Sequence, residues 1–145
     1  MIVDDISFDT IKAFVEHLCH KVSKDYECII ALSRGGLIPG VMLSHMTGIR
    51  MKSFGIKSYG DDKTPGDIKI TQQIPLLEHR DEKVLVVDDI CDSGATFNYI
   101  REVFQAAGIS VETAALFAKP DSVKFCDYHV RLANPDTWIT FPWES

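Results

Sequence analysis

A chain of 145 residues, 46 % hydrophobic and 25 % charged, has room for one globular domain with a real core, and none for a second. Its formal charge of −6 argues against nucleic-acid binding as the main task, since phosphate backbones want a basic face. It leaves open a small anionic ligand whose charge is met locally by dipoles or a bound cation. The cysteines (Cys19, Cys28, Cys91, Cys126) have no C-x-x-C spacing, nothing reads as a signal peptide, and no apolar run approaches a membrane span. The expected setting is the reducing cytoplasm. In chain order, the first predicted element is an amphipathic helix with Ser7 as N-cap and Ile11, Phe14, Val15, Leu18 and Val22 on one face. His17 and His20 share a face of it, but no complete metal-ligand set accompanies them, so they read as solvated or packing residues.

Residues 28–32 form the first buried strand and run into Ser33-Arg34-Gly35-Gly36; Pro39 suits the first turn of a helix ending near Gly48. A strand, a glycine-rich loop and a helix start make an anion site, here with an arginine attached. A plain tight turn would need only one glycine. Residues 50–58 predict a second strand, and 59–67 are polar and rich in breakers, as in an exposed hairpin loop. Residues 68–74 alternate like a returning strand that Pro75 ends, and 76–83 form a polar connector.

Residues 84–87 are four β-favouring apolar residues, the pattern of a strand buried on both faces of a parallel sheet. Asp88 and Asp89 follow at its carboxyl end, where open α/β sheets place ligands. The loop from Asp92 to Thr96 then offers backbone N–H groups, two hydroxyls and a glycine at the positive end of a helix, a phosphate cradle. Neither G-x-G-x-x-G nor G-x-x-x-x-G-K-[ST] is present. An acidic pair facing a phosphate loop calls for a ligand with hydroxyls and phosphates, and a phosphorylated ribose is the simplest. The next helix runs from about 95 to 107 with Ile100, Val103 and Phe104 inward and Gly108 as C-cap. Residues 111–118 form a buried strand delivering Lys119-Pro120, and 128–132 a short final strand. The predicted class is α/β, with a central, mainly parallel sheet flanked by helices.

Val86-Val87-Asp88-Asp89-Ile90-Cys91-Asp92-Ser93-Gly94-Ala95-Thr96 resembles the phosphoribosyl-pyrophosphate (PRPP) motif of type I phosphoribosyltransferases. Ser33-Arg34-Gly35-Gly36-Leu37-Ile38-Pro39-Gly40, Lys57-Ser58-Tyr59, Phe117-Ala118-Lys119-Pro120 and Asp136-Thr137-Trp138-Ile139, followed by Phe141-Pro142-Trp143-Glu144, match in order. Five collinear motifs spanning residues 7 to 144 are similar to the bacterial xanthine-guanine enzymes of that family. The resemblance implies one phosphoribosyltransferase domain over 1–145, a small C-terminal hood built partly from 119–144, and a mobile lid at about 59–67 hinged at Lys57, Ser58 and Tyr59. It implies transfer of a 6-oxopurine (guanine, xanthine or hypoxanthine) onto PRPP, with pyrophosphate released. Asp88, Asp89, Asp92, Ser93, Gly94, Ala95 and Thr96 would bind PRPP; Ser33, Arg34 and Gly35 would bind pyrophosphate. Asp89 would also touch Mg²⁺, and Asp92 would be the acid–base group at the purine N7, unless it only caps the next helix. Lys119 would donate to the purine O6, because an ammonium is a donor only, with Trp138 stacked on the base and Ile139 beside it. Trp143 reads as packing or a subunit contact. Nearest members of the family carry glycine at the position of Ala95, and a tail beyond that of Ser145 that helps finish the pocket and the subunit contacts. Such folds commonly assemble as homodimers or homotetramers, and the charge and the lack of an apolar span lead to no expectation of nucleic acid or membrane insertion for this chain. Two alternatives share the motif: a PRPP-sensing regulator, which predicts a basic stripe or an added DNA-binding segment, and a transferase for a non-purine base, for which Lys119 and Trp138 would be irrelevant.

Overall fold

The computed structural model describes residues 2–58 and 68–144. Six strands form one sheet: β2 (Cys28–Ser33), β3 (Met51–Ser58), β4 (Ile68–Gln72), β5 (Lys83–Cys91), β6 (Ser110–Ala118) and β7 (Tyr128–Leu132), in the order β4-β3-β2-β5-β6-β7. All pairings are parallel except β3 with β4, the hairpin that flanks residues 59–67. The loop reading of 59–67, with Tyr59, falls outside the described residues.

Alternate residues of the central strands feed two separate cores. Leu85 and Val87 point to the side of α1 (Phe8–Lys21) and α2 (Leu37–Thr47), packing with Ile11, Phe14, Leu18 and Leu43. Val84 and Val86 point to the side of α3 (Ala95–Ala106), packing with Phe97, Ile100 and Phe104. The four are at most 1 % exposed. Burying a valine or leucine side chain contributes about 1.5–3 kcal/mol, so the middle of β5 is firmly held and what hangs on its end has a rigid base.

Ser7 caps α1 as expected, its hydroxyl accepting from the N–H of Thr10. Four readings change. Ile2–Asp5 is a strand, β1, paired in parallel with β8 (Thr137–Thr140), so Tyr128–Leu132 is not the final strand and the amino-terminal residues form a second, two-stranded sheet with β8. All four β1 residues are exposed, which leaves no buried–exposed alternation to read. In α3, Phe97 is buried where Val103 is only half-buried, and Ala107 is the cap, with Gly108 one residue beyond it at φ 80°. The connector holds a 3-10 turn, Leu76–His79, with His79 wholly buried between Lys52 and Glu82. Among the described residues no helix is long and apolar enough to cross a membrane.

Candidate active site

The carboxyl edge of the sheet gathers almost every residue that the motifs single out. β5 continues through Asp88 and Asp89, and local hydrogen bonds orient both carboxylates. Asp88 Oδ1 accepts the N–H of Asp89 at 2.9 Å, and Asp89 Oδ1 that of Ile90 at 2.7 Å. Burial pushes both carboxyl groups up from the ordinary aspartate range. The charge on Asp89 adds to the rise at Asp88, and Glu144 adds to that at Asp89. Among the described residues neither forms an ion pair. Two such acids gain from any ligand that brings hydroxyl donors or positive charge.

Beyond them the chain turns into α3. Gly94 occupies the N-cap position at φ 86° and has no side chain to cap the helix. Asp92 is therefore not a cap: it stands two residues too early and is exposed. The Ala95 N–H donates to Ser93 Oγ at 3.2 Å, closing the loop on itself. A methyl group on Gly94 would meet the ring of Phe125, so this position needs glycine for space as well as for backbone.

Facing the acids is the loop after β2, in which the Ser33–Arg34 peptide bond is cis. Any side chain on Gly35 would run into the Asp89 carboxylate, and any on Gly36 into the Val87 carbonyl. Two glycines thus let this loop touch β5, which is why one would not suffice.

These parts line two neighbouring cavities. A cavity of about 230 Å³ is lined by Asp88, Asp89, Asp92, Ser93, Gly94 and Thr96. A larger one of about 790 Å³ is lined by Arg34, Gly35, Lys119, Trp138, Ile139 and Glu144 among others. Asp89 and Asp92 line both. Lys119 Nζ donates to the carbonyls of Asn134 and Thr137, each at 3.3 Å, so contacts among the described residues use two of its three N–H groups. Trp138 is 59 % exposed, which removes it from the core, and it lines the larger cavity. Trp143 stacks on Phe141 at 5.0 Å and reaches both the core and the cavity wall.

Ser33, Ala95, Lys57 and Ser58 line neither space. Ser33 is the last residue of β2, paired with Gly55, and Ala95 opens α3. Lys57 and Ser58 are paired with β4. Sequence reasoning missed Glu144 as a lining residue; its Oε1 accepts the Phe141 N–H at 3.0 Å, which aims the carboxylate. Its motif was visible, but nothing in the sequence put its side chain opposite Asp89.

Residues 7–145 match the family described as phosphoribosyl transferase domain. The chain belongs to the phosphoribosyltransferase family. This phosphoribosyltransferase is 37 % identical over 119 residues to the xanthine-guanine phosphoribosyltransferase of Gluconobacter oxydans, covering 81 % of this chain and 68 % of that protein. It is 31 % identical to the enzyme of the same name from Chromohalobacter salexigens, over 96 % of this chain and 82 % of the relative. The crystal structure of a purine phosphoribosyltransferase from Pyrococcus horikoshii superposes with a TM-score of 0.84 at 32 % identity, over 100 % of this chain and 95 % of the other. Asp88, Asp89 and the 92–96 loop thus border one cavity, and Asp89, Ile90 and Asp92 also line its neighbour, which reaches Lys119 and Trp138.

Proposed function

We propose that this phosphoribosyltransferase joins a 6-oxopurine to the ribose of PRPP, yielding a nucleoside 5′-monophosphate and pyrophosphate. The observation that carries this reading is the shared lining: Asp89 and Asp92 border both the space over the phosphate loop and the space that holds Lys119 and Trp138. One ligand can therefore rest its phosphate on the loop while its C1 faces a base in the larger cavity. In the reaction, N9 of the purine attacks C1, the bond from C1 to the pyrophosphate oxygen breaks, and its electron pair leaves with the pyrophosphate.

Each residue then has a task. The N–H groups and hydroxyls of residues 93–96 hold the 5′-phosphate at the start of α3. Asp88 and Asp89 accept hydrogen bonds from the ribose hydroxyls, which offsets the cost of holding two carboxylates together. Arg34 and Gly35 receive the leaving pyrophosphate, where negative charge grows in the transition state, and Ser33 anchors their loop to the end of β2. Asp92 takes the proton from the purine N7 as N9 bonds to carbon. Lys119 donates its remaining N–H to the O6 acceptor and meets adenine's amino group with a donor it cannot use. Trp138 covers the base face, with Ile139 beside it.

Magnesium fits this donor set. Hard carboxylate oxygens at Asp88 and Asp89 suit it, and it is bound through one or two carboxylates plus substrate phosphates and water, with no all-protein cage. Among the described residues no such cage of three or more ligands exists. When bound, the ion would draw charge from the pyrophosphate oxygens as the bond to C1 breaks. The same reading makes the working unit a homodimer or homotetramer. Helix α2 supports this, since it carries no Asp, Glu, Lys or Arg and leaves Val41 and Met46 42 % and 38 % exposed.

The test is pyrophosphate release from PRPP and Mg²⁺ with a panel of bases. Guanine, xanthine and hypoxanthine should support turnover, and adenine, orotate and uracil should not. Turnover with orotate or uracil alone would move the chain to a non-purine base; PRPP binding without turnover on any base would make it a sensor.

A further inference from the structure

The ladder between β5 and β6 ends at Cys91 and Ala118, one residue before Lys119. From there the chain enters a 3-10 turn, Pro120–Phe125, packed across the end of β5. At its centre is Ser122, wholly buried. Its N–H donates to the Lys119 carbonyl at 2.9 Å. Its hydroxyl lies 2.7 Å from the Cys91 carbonyl and 2.9 Å from that of Lys119. A serine hydroxyl has one proton, and the shorter contact takes it. The Lys119 N–H donates to the same Cys91 carbonyl at 2.9 Å. Ser122 therefore bridges the residue before Asp92 and the residue that faces the base, through its hydroxyl on the Cys91 carbonyl and its backbone N–H on the Lys119 carbonyl.

The ends of the turn are fastened as well. Phe125 packs on Gly94 in the phosphate loop, and its carbonyl accepts from Thr113 Oγ1 at 2.8 Å. Asp127 in turn accepts from the Thr113 N–H at 2.8 Å and pairs with Arg101 at 2.9 Å. The turn reaches the strand end, the phosphate loop and the backbone of Lys119 together.

We propose that Ser122 is a positioning residue, setting Lys119 at a fixed place relative to Asp92 and the phosphate loop so that base and sugar meet in register. This rests on the reading of Lys119 as the residue that contacts the base. Cys91 is held to Ala118 by the ladder whatever happens at Ser122, whereas Lys119 lies past the ladder. Lys119 has its own N–H and its two Nζ contacts, its carbonyl is tied to the turn by the Ser122 N–H, and the Ser122 hydroxyl ties that turn to β5. Loss of the hydroxyl therefore loosens the base side before the sugar side.

The test is steady-state kinetics of Ser122→Ala with a 6-oxopurine and PRPP. It should lower kcat/KM for the base about tenfold, the scale of one lost hydrogen bond, while the Kd for PRPP changes no more than about twofold. Tyr26→Phe, which deletes a half-buried hydrogen bond to Glu112 at the opposite end of the sheet, should leave both values unchanged and so separates positioning from general softening. Lys119→Met should itself cost about a hundredfold toward the base, and Ser122→Ala added to it should cost nothing further. Wild-type kinetics in Ser122→Ala, an equal loss on the PRPP side, or a full tenfold loss on top of Lys119→Met would each overturn the proposal. Unchanged kinetics in Lys119→Met would instead remove the underlying reading of the base site. Should Ser122→Ala not fold, Ser122→Cys, kept reduced, removes the strong donor at nearly constant volume and must show the same split.

Discussion

Asp88 and Asp89 carry the site's clearest energetic signature. Both are acids whose native pKa lies above the unfolded one, burial being the first cause at each. Such a group binds more protons folded than unfolded in the window from the ordinary value of 3.8 up to its raised value. The stability it contributes is present below that window and is lost as pH rises through it. Asp88→Asn abolishes the titration, so in protein free of metal and ligand the variant's Tm advantage should grow from pH 4 to pH 8. At neutral pH it should reach about 2–4 °C per kcal/mol relieved. Thermal melts across that range with a chelator present measure it, and a Tm difference that does not change with pH would count against the buried-acid account. With PRPP and Mg²⁺ added, the wild type should overtake the variant, because only its carboxylate is stabilised by the bound ligand.

At the scale of elements, the phosphate loop depends on one glycine. Gly94 combines a φ of 86° with contact to Phe125, so Gly94→Ala is strained in the backbone and crowded in the side chain. A loss of about 1–3 kcal/mol of stability and at least a tenfold weaker Kd for PRPP should follow, read by denaturant melts and titration calorimetry. Retained PRPP affinity would mean that the loop does not hold the phosphate. The loop itself was legible in sequence, since strand, acids, small residues and helix follow one another without interruption. So were Lys119 and the Ser33-to-Gly36 loop, each at the end of an apolar run. The β1–β8 pair was not legible: its partners are more than 130 residues apart, and β1 has no buried face to mark it. Nor was Ser122, a small polar residue in a turn whose weight comes from two carbonyls brought together only by the β5–β6 ladder.

On the scale of the molecule, the sheet order β4-β3-β2-β5-β6-β7 puts β5 between β2 and β6, the two strands whose ends carry the Arg34 loop and Lys119. Alternating strands and helices predicted a parallel sheet, but not that these three ends would be adjacent; adjacency comes from crossovers, which local pattern does not encode. The two half-exposed apolar residues of the charge-free α2 belong to the same scale. Light scattering should return the mass of a dimer or a tetramer, and a monomer at micromolar concentration would contradict the proposed assembly. The central claim is that acids, phosphate loop and base pocket act as one site. A crystal structure with PRPP, magnesium and an unreactive 6-oxopurine analogue tests it most directly. It should show the 5′-phosphate on the amides of residues 93–96, the ribose hydroxyls on Asp88 and Asp89, and the analogue between Lys119 and Trp138. Sugar phosphate bound elsewhere, with that loop empty, would contradict it.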